Sequence, residues 1–208
     1  MSRPFVTGLV LAAGGSSRLG RPKQLLPYGD ETLLGHVLAT ARDSSAFDGL
    51  VVALGGSAEE VLDAVDSSGA EVAVNRDYGS GCSSSIAASL EVVDPRSEVL
   101  VLMLGDQPGV SGATVRRLID GIGDAPLAVC RYDDGRGHPF AFGRAAFPEL
   151  AALHGDKAVW KLLERRAGEV VEVQVPGRVP RDVDTWADYE AVLAEAGLAA
   201  PKEVLDGV

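Results

Sequence analysis

Short, continuous apolar runs recur along this chain and alternate with helix-like stretches. Continuous rather than alternating apolarity indicates strands that are buried on both faces, as in parallel sheets. The stretches between the runs carry helix-start residues, such as Ser57 and Ser111, ahead of apolar periodicity. This alternation favours an α/β fold with three layers, a mainly parallel sheet with helices on both faces. The predicted strands are Val6–Ala12, Leu50–Leu54, Glu71–Val74, Val99–Leu104, Leu127–Cys130 and Val170–Val175.

The residues that follow each apolar run are the candidate site residues, because ligands of such sheets bind beyond the carboxyl ends of the strands. Segment 131–142, RYDDGRGHPFAF, is long and Gly-rich for a connection. It is predicted to be an active-site loop or a short β excursion. A last helix is expected within DTWADYEAVLAEAG, which ends in Gly197.

Length and composition indicate one domain with a full core, residues 1–198, followed by a loosely held tail, residues 199–208. The net charge of -11 argues against nucleic acid and anionic membranes as partners, because both require a basic surface. Cys82 and Cys130 have neither metal-site nor disulfide spacing, which favours a reducing compartment. With no signal-peptide pattern and no long apolar run, a cytoplasmic protein is expected.

The stretch LVLAAGGSSRLGRPKQLLPYG, residues 9–29, leaves the first predicted strand through Gly14–Ser16 and then presents Arg18 and Lys23. A phosphate chain needs backbone N–H groups, room for close approach and cations, and this loop contains all three. It is not a Walker loop, because Gly20 is followed by Arg and Pro, and it lacks the G-x-G-x-x-G spacing of a dinucleotide loop. A solvated loop with incidental charges is the alternative.

This loop resembles the signature of the MobA-like nucleotidyltransferases, L-x-A-G-x-S-x-R-x-G-x-x-K-x-L. The resemblance implies a Rossmann-like nucleotidyltransferase fold whose first loop wraps the triphosphate of an NTP. It also implies that Arg18 and Lys23 are catalytic, since they stabilise the phosphates while one of them is displaced. The fixed positions of the signature are met by Leu11, Ala13, Gly14, Ser16, Arg18, Gly20, Lys23 and Leu25. The implied nucleotide-binding residues here are Leu11, Ala12, Ala13, Gly14, Gly15, Ser16, Arg18 and Lys23.

A second motif, Gly105-Asp106-Gln107-Pro108, follows the apolar run VLVLML. A carboxylate at the end of a central strand suits Mg²⁺, which takes one or two carboxylates together with phosphate and water oxygens. Asp106 is therefore a candidate metal ligand and catalytic residue. Its alternative role as a helix cap is less favoured, because Ser111 is better placed for that. GDQP also resembles the family, most closely its branch that makes molybdenum cofactor cytidylates, and Gln107 and Pro108 are candidates for acceptor binding.

A third motif, VPRDVDTWADY, carries Asp182 and Asp184, which point the same way if the segment is extended. Asp184 is placed to complete a metal site opposite Asp106, and a plain helix cap at Asp184 or Thr185 is the alternative. The motif resembles the D-[IV]-D-T-x-x-D-Y close of the family, whose second Asp is typically the metal ligand. The resemblance thus implies a Mg²⁺ cofactor on Asp106 and Asp184, with Asp182 the weaker choice.

Three further segments contribute candidate contacts. NRDYGSGCSSSIAASL places a Gly/Ser turn before a helix, where exposed N–H groups and polar side chains favour nucleotide recognition, although Ser-rich helix starts are common without function. GRGHPFAF resembles the family segment G-x-x-GHP-x-x-F, and its His is either an acceptor contact or structural. LHGDKAVWKLL resembles the family run G-D-x-G-x-x-x-L-L, with Ala158 where Gly is usual. The candidates are Asn75, Gly81 and Ser84 for the nucleotide, His138 for the acceptor, and Lys157 and Lys161 facing the cleft.

These motifs together describe nucleotide transfer by positioning and charge neutralisation. The acceptor phosphate attacks the α-phosphorus of an NTP and pyrophosphate leaves, so no protein nucleophile is needed. The sequence Leu11-Ala12-Ala13-Gly14 resembles the CTP-using branch, whereas relatives that use GTP read L-A-G-G. The expected reaction is transfer of CMP from CTP to the terminal phosphate of molybdopterin, with a molybdenum hydroxylase as the client of the product.

Other functions stay open. One is a guanylyl or other NTP transferase that acts on a different phosphorylated acceptor. Another is an NAD(P)H-dependent reductase of small heteroaromatic compounds, because some proteins with a similar N-terminal sequence are named so. Two metal-suited aspartates, which hydride transfer would not use, weigh against the reductase. A third is a non-catalytic carrier of the finished cofactor.

Overall fold

A computed structural model describes residues 3–155 and 157–199 of the chain. Its strands are β1 Val6–Ala12, β2 Pro27–Tyr28, β3 Glu31–Thr32, β4 Gly49–Leu54, β5 Glu71–Val74, β6 Val99–Leu104, β7 Leu127–Tyr132, β8 Gly135–Gly143 and β9 Val170–Gln174. Seven of them form one sheet in the order β5-β4-β1-β6-β8-β7-β9. Only β8 runs antiparallel to its neighbours, so the carboxyl ends of the other six strands meet at one edge.

Helices cover both faces of this sheet. They are α1 Leu33–Asp43, α2 Ala58–Ala64, α3 Cys82–Leu90, α4 Gly112–Ile122, α5 Phe147–Ala151, α6 Ala158–Arg165 and α7 Trp186–Glu195. No helix within the described residues combines the length and the apolar character that crossing a bilayer requires.

Two apolar clusters separate the three layers. Val10 points to the cluster under α1, α2 and α4, and its neighbour Leu9 points to the cluster under α3, α5 and α6. Successive strand residues alternate between faces, so a continuously apolar strand is what a sheet covered on both sides requires. The predicted three-layer α/β fold with a mainly parallel sheet is thereby confirmed.

Helix α7 lies apart from these layers, against the short hairpin β2–β3. Its Tyr189 is fully buried, and the phenol hydroxyl donates a hydrogen bond to the carbonyl oxygen of Pro27 at 2.6 Å. Thr185 and Asp188 form a capping box at the start of α7. Asp184 directly precedes this cap, so the packing of α7 on β2–β3 places Asp184 next to Lys23.

Most predicted elements match the observed ones. The predicted strands agree with β1, β4, β5, β6, β7 and β9 to within about two residues, which is the usual uncertainty of element ends. Segment 131–142 is the second of its two predicted forms, because it contains most of β8, which inserts between β6 and β7. Ser111 and Ser57 are the N-cap residues of α4 and α2, as predicted, and of the two only Ser111 makes a side-chain capping bond.

Two predictions concern the ends of the chain. The single domain spanning residues 1–198 stays a prediction. Of the predicted tail, residues 200–208 lie outside the described ranges.

Candidate active site

The three charged residues picked from separate motifs meet at the carboxyl edge of the sheet. The Lys23 Nζ donates hydrogen bonds to the carboxylates of both Asp106 and Asp184, at 2.9 Å to Asp184 Oδ1. Arg18 Nη2 donates to the other oxygen of Asp184 at 3.0 Å. The side chains of Lys23 and Asp106 are 13% and 17% exposed, whereas that of Asp184 is 43% exposed. The arrangement is a partly buried cluster of two cations and two anions that is open on the Asp184 side.

The first loop folds back on itself to bring Lys23 to this position. Ser16 has a φ of 50°, and its hydroxyl oxygen accepts a hydrogen bond from the Lys23 backbone N–H at 2.9 Å. Gln24, which is 4% exposed, donates from Nε2 to the carbonyl oxygens of Ala12 and Gly14. Carbonyl oxygens that are bound to Gln24 do not face an incoming anion. The carbonyl oxygens of Ala12 and Gly14 are thus directed to Gln24.

Asp106 is placed by close contact between β6 and β1. The Gly105 N–H donates to the Leu11 carbonyl oxygen at 2.8 Å, which extends the ladder between these strands by one residue. A Cβ at Gly105 would lie 2.9 Å from the Ala12 Cβ, a distance that side chains essentially never adopt. Glycine at this position lets the chain turn beside the first loop. Asp106 therefore reaches Lys23 directly after the strand ends.

The charges in the cluster shift one another's proton affinity. Burial disfavours the ammonium, but the carboxylates of Asp106 and Asp184 together hold the pKa of Lys23 above its ordinary value. The hydrogen bond from Lys23 and the nearby Arg18 guanidinium lower the pKa of Asp184. Burial and the neighbouring Asp106 carboxylate raise the pKa of Asp182. Lys23 and Asp184 are thus held in their charged forms at neutral pH.

A cavity of about 310 Å³ opens beside the cluster. A second recess of about 200 Å³ shares Gly14, Gly15 and Lys23 with it and extends to Arg18 and Asp184. The first space is lined mostly by apolar residues and glycines, and the second by charged side chains together with glycines and serines. The residues that line the first cavity are Leu11, Ala12, Ala13, Gly14, Gly15, Lys23, Gln24, Tyr78, Gly81, Cys82, Ser85, Leu104, Gly105 and Asp106.

Sequence reasoning missed Tyr78 and Gln24. The Tyr78 ring lies over Gly15, Gly55 and Gly56, so that a Cβ at Gly56 would collide with the phenol. The ring is 40% exposed and forms a wall of the cavity. The only signal in the sequence is an aromatic residue inside a Gly/Ser turn, which by itself indicates nothing. Gln24 carries no motif signal either, because its role depends on which carbonyl groups lie beside it.

The remaining nucleotide candidates are divided by the structure. Gly81 lines the cavity, but the side chains of Asn75 and Ser84 bind within their own loop. Asn75 Nδ2 donates to the Ser84 and Ser85 hydroxyls at 2.8 and 3.0 Å, and Asn75 Oδ1 accepts from the Asp77 N–H at 2.9 Å. These bonds shape the turn that carries Tyr78 and Gly81.

The acceptor candidates Gln107, Pro108 and His138 are not among the residues that line the first cavity. The His138 ring packs on Phe140, with centroids 3.9 Å apart, and edge-on to Trp160 at 6.2 Å. Burial lowers the pKa of His138 to about 3, so the imidazole is neutral. Pro108 is buried, and Gln107 is bound to the Asp182 segment. Lys157 and Lys161 are exposed around the start of α6.

The two cysteines differ in setting. Cys82 lines the cavity at the start of α3. Cys130 is fully buried in β7, and burial raises the pKa of its thiol to about 12. Cys130 is therefore a packing residue.

The fold is shared with solved nucleotidyltransferases. A Methanothermobacter nucleotidyl transferase superposes with a TM-score of 0.77 and 24% identity, covering 92% of this chain and 97% of that one. The chain belongs to the MobA-like NTP transferase domain family, whose model matches residues 8–170. The predicted family is therefore confirmed.

Three relatives are similar to this chain over different lengths. The Rv0371c protein of Mycobacterium tuberculosis H37Rv, whose structure is a complex with manganese, is 49% identical with a TM-score of 0.83, covering 91% of this chain and 98% of that one. "Nicotine blue oxidoreductase" of Paenarthrobacter nicotinovorans is 32% identical, over 78% of this chain and 83% of the relative. The chain also matches bifunctional GlmU of Burkholderia ambifaria at 36% identity, but this match spans only 26% of that longer protein.

Proposed function

We propose that this protein is a metal-dependent nucleotidyltransferase that transfers CMP from CTP to the terminal phosphate of a molybdopterin-type acceptor. The observation that carries the proposal is the meeting of Lys23 with Asp106 and Asp184 beside the glycine loop. Cations for a triphosphate and carboxylates for a metal lie within one contact of each other. Family membership supports the transferase class. The choice of CTP and of a molybdopterin-type acceptor is supported by the motif resemblance.

The chain's own groups divide the work in this reaction. The backbone of Gly14–Ser16, together with Arg18 and Lys23, holds the triphosphate in the charged recess. An oxygen of the acceptor phosphate forms a bond to the α-phosphorus, and the bond from the α-phosphorus to the bridging oxygen breaks. The leaving pyrophosphate gains negative charge, and Arg18 and Lys23 stabilise it.

The residues present fit a divalent cation. An ammonium group already lies between the carboxylates of Asp106 and Asp184, so both can face one positive charge. Within the described residues, no three His, Cys, Asp or Glu side chains are grouped to hold a metal ion. Mg²⁺ suits such a sparse site, because it takes one or two carboxylates and completes its shell with phosphate and water. A bound Mg²⁺ would supply charge neutralisation on the substrate oxygens.

The cavity supports CTP as the nucleotide. Ala13 lines it and is 7% exposed, and a base bound beside this residue would have less space than beside a glycine. A size difference of this kind is worth about 1–3 kcal/mol of discrimination. A preference for a pyrimidine over a purine nucleotide is expected on this ground.

A second candidate function is an NAD(P)H-dependent reductase, and the observation that favours it is the name of the Paenarthrobacter relative. A phosphate-binding loop also suits the pyrophosphate of a dinucleotide. Such an activity would have no use for two carboxylates facing one cation. The two functions therefore differ in their requirement for Asp106 and metal.

A binding screen with a matched pair of variants separates them. Melting temperatures are measured with CTP, GTP, ATP, UTP or NADPH, each with and without Mg²⁺, since a ligand of the native state raises the melting temperature. We expect the largest rise with CTP and Mg²⁺. Asp106→Asn should remove the Mg²⁺-dependent part, whereas Asp120→Asn, the same change on the exposed face of α4, should leave it intact.

Release of pyrophosphate from CTP in the presence of molybdopterin then tests turnover, and Asp106→Asn should nearly abolish it. A shift with NADPH that is independent of Mg²⁺ and of Asp106 would replace the transferase by the reductase.

A further inference from the structure

The residue after Asp106 has a role that its motif does not reveal. Gln107 is 3% exposed, and its Nε2 donates hydrogen bonds to the carboxylate of Asp182 and to the carbonyl oxygen of Pro180, at 3.1 Å to Pro180. Both acceptors belong to the segment that leads to Asp184. Gln107 therefore connects the turn that carries one carboxylate of the cluster to the segment that carries the other.

A main-chain bond reinforces this connection. The Val183 N–H donates to the Asp106 carbonyl oxygen at 3.1 Å. The Asp182 side chain and the Val183 backbone thus bind the Asp106–Gln107 turn at two adjacent points. Asp184 comes next in the chain and meets Lys23 on the other side.

The other end of the Gln107 amide indicates why an amide is present there. Gln107 Oε1 is buried and has no hydrogen-bond partner among the residues that the structure describes. A buried acceptor without a partner is unfavourable, and an apolar side chain of the same size would avoid that cost. The gain from Gln107 must therefore come from its two N–H groups, which both point to the segment 180–184.

We infer that Gln107 and Asp182 are positioning residues, whose hydrogen bond holds Asp184 opposite Asp106 so that both carboxylates face one cation. The inference rests on the proposed metal-dependent function. Asp184 needs such support, because its side chain is 43% exposed and it lies outside any helix or strand. The carboxylates of Asp106 and Asp184 repel each other. The hydrogen bond between Gln107 and Asp182, called the Gln107–Asp182 tie below, restrains Asp184 from moving away. In this arrangement the Asp182 carboxylate accepts the hydrogen bond of Gln107, and the Gln107 amide binds Asp182 instead of the acceptor.

The test measures Mn²⁺ binding to the full chain without nucleotide, by the electron paramagnetic resonance signal of free Mn²⁺. Asp182→Asn keeps a carbonyl oxygen that accepts from Gln107, whereas Asp182→Ala removes the acceptor. We expect Asp182→Asn to stay close to the wild-type affinity. Asp182→Ala should weaken binding by about 10-fold or more, the usual effect of losing a group that orients a metal ligand.

Gln107→Met removes the donor of the Gln107–Asp182 tie, so it should weaken Mn²⁺ binding as much as Asp182→Ala does. The double variant should lose no more than either single variant, because both remove one interaction. Gln174→Met is the matched control, since Gln174 is exposed on β9, and it should bind as the wild type does. Thermal melting of each variant identifies any that fails to fold. If Asp182→Ala or Gln107→Met fails to fold, the other of these two variants tests the inference.

Two results would overturn the inference. Equal losses in Asp182→Asn and Asp182→Ala would mean that the charge of Asp182 acts on the metal directly, and unchanged affinity in both Asp182→Ala and Gln107→Met would mean that the tie does not position anything. Asp106→Asn distinguishes these outcomes from failure of the proposed function. If Asp106→Asn leaves Mn²⁺ binding unchanged, the proposed metal site is wrong. If Asp106→Asn weakens Mn²⁺ binding while Asp182→Ala and Gln107→Met bind Mn²⁺ as the wild type does, only the positioning role is overturned.

Discussion

At the scale of single residues, Lys23 is the point on which the site depends. Its ammonium group lies between two carboxylates and is largely shielded from solvent. Without it, Asp106 and Asp184 would repel each other in a partly buried place. Removing one partner of a buried ion pair costs more than an exposed pair would contribute, because the remaining charge is left uncompensated.

Lys23→Gln should therefore destabilise the metal-free protein by about 1–3 kcal/mol, less than a fully buried pair would because Asp184 is partly exposed. Mn²⁺ should restore more stability to Lys23→Gln than it adds to the wild type, since the cation then has no competitor for the two carboxylates. Urea unfolding with and without Mn²⁺ measures both effects. Lys161→Gln, on the exposed face of α6, is the control and should behave as the wild type. An equal response of Lys23→Gln and wild type to Mn²⁺ would contradict the expectation.

His138 makes a prediction about pH. Burial lowers the pKa of its imidazole from 6.5 to about 3, so the unfolded chain binds a proton that the folded chain does not accept until far lower pH. The stability that this residue contributes is complete above pH 6.5 and is lost as the pH falls toward 3.

Between pH 7.5 and 5.5, His138 should account for a loss of about 1 kcal/mol in the free energy of unfolding. His138→Gln, which does not titrate, should show a correspondingly smaller loss in urea unfolding at the two pH values. His154→Gln, the same change at an exposed histidine, is the matched control. If His138→Gln keeps the wild-type slope, burial of a neutral imidazole is not what makes the protein acid-sensitive.

At the scale of elements, similar sequence signals lead to different structures. Ser57 and Thr185 both precede a helix, and both are residues favoured at an N-cap. Thr185 forms a capping box with Asp188, in which the Thr185 Oγ1 accepts from the Asp188 N–H at 3.2 Å. Ser57 forms no side-chain cap. The sequence predicts where these helices begin but not which of the two caps forms.

Thr185→Ala should lower the free energy of unfolding by about 1 kcal/mol, because it removes a capping bond. Ser57→Ala should change it far less, since no such bond is lost. Denaturant unfolding of the two variants side by side measures the difference. Equal effects would mean that the capping box adds nothing to α7.

At the scale of the whole molecule, the topology explains why distant motifs meet. The strands β1 and β6 are neighbours in the sheet although they are far apart in the chain, so the first loop and Asp106 leave the sheet side by side. Helix α7 then packs on β2–β3 and brings Asp184 to the same place from the far end of the chain. One site is thus assembled from three segments that share no local sequence relationship.

The sequence by itself determined the layered fold of this protein and the residues proposed for its site. Continuous apolar runs require a sheet covered on both faces, and a glycine loop with Arg18 and Lys23 indicates a phosphate site, because these properties depend on local composition and spacing. Asp106 and Asp184 are predicted as metal ligands in a similar way, each from within its own motif. Such patterns are visible because each residue type is chosen for its immediate surroundings.

Only the tertiary structure decided how these groups are paired. That β8 inserts between β6 and β7, that Lys23 bridges two carboxylates, and that Gln107 binds the Asp182 segment all depend on contacts between parts of the chain that are remote in sequence. A buried amide such as Gln24 or Gln107 has no pattern of its own, since its role is set by the carbonyl and carboxylate groups that folding brings beside it. The spacing of motifs carries the chemistry, but long-range packing sets the geometry in which that chemistry acts.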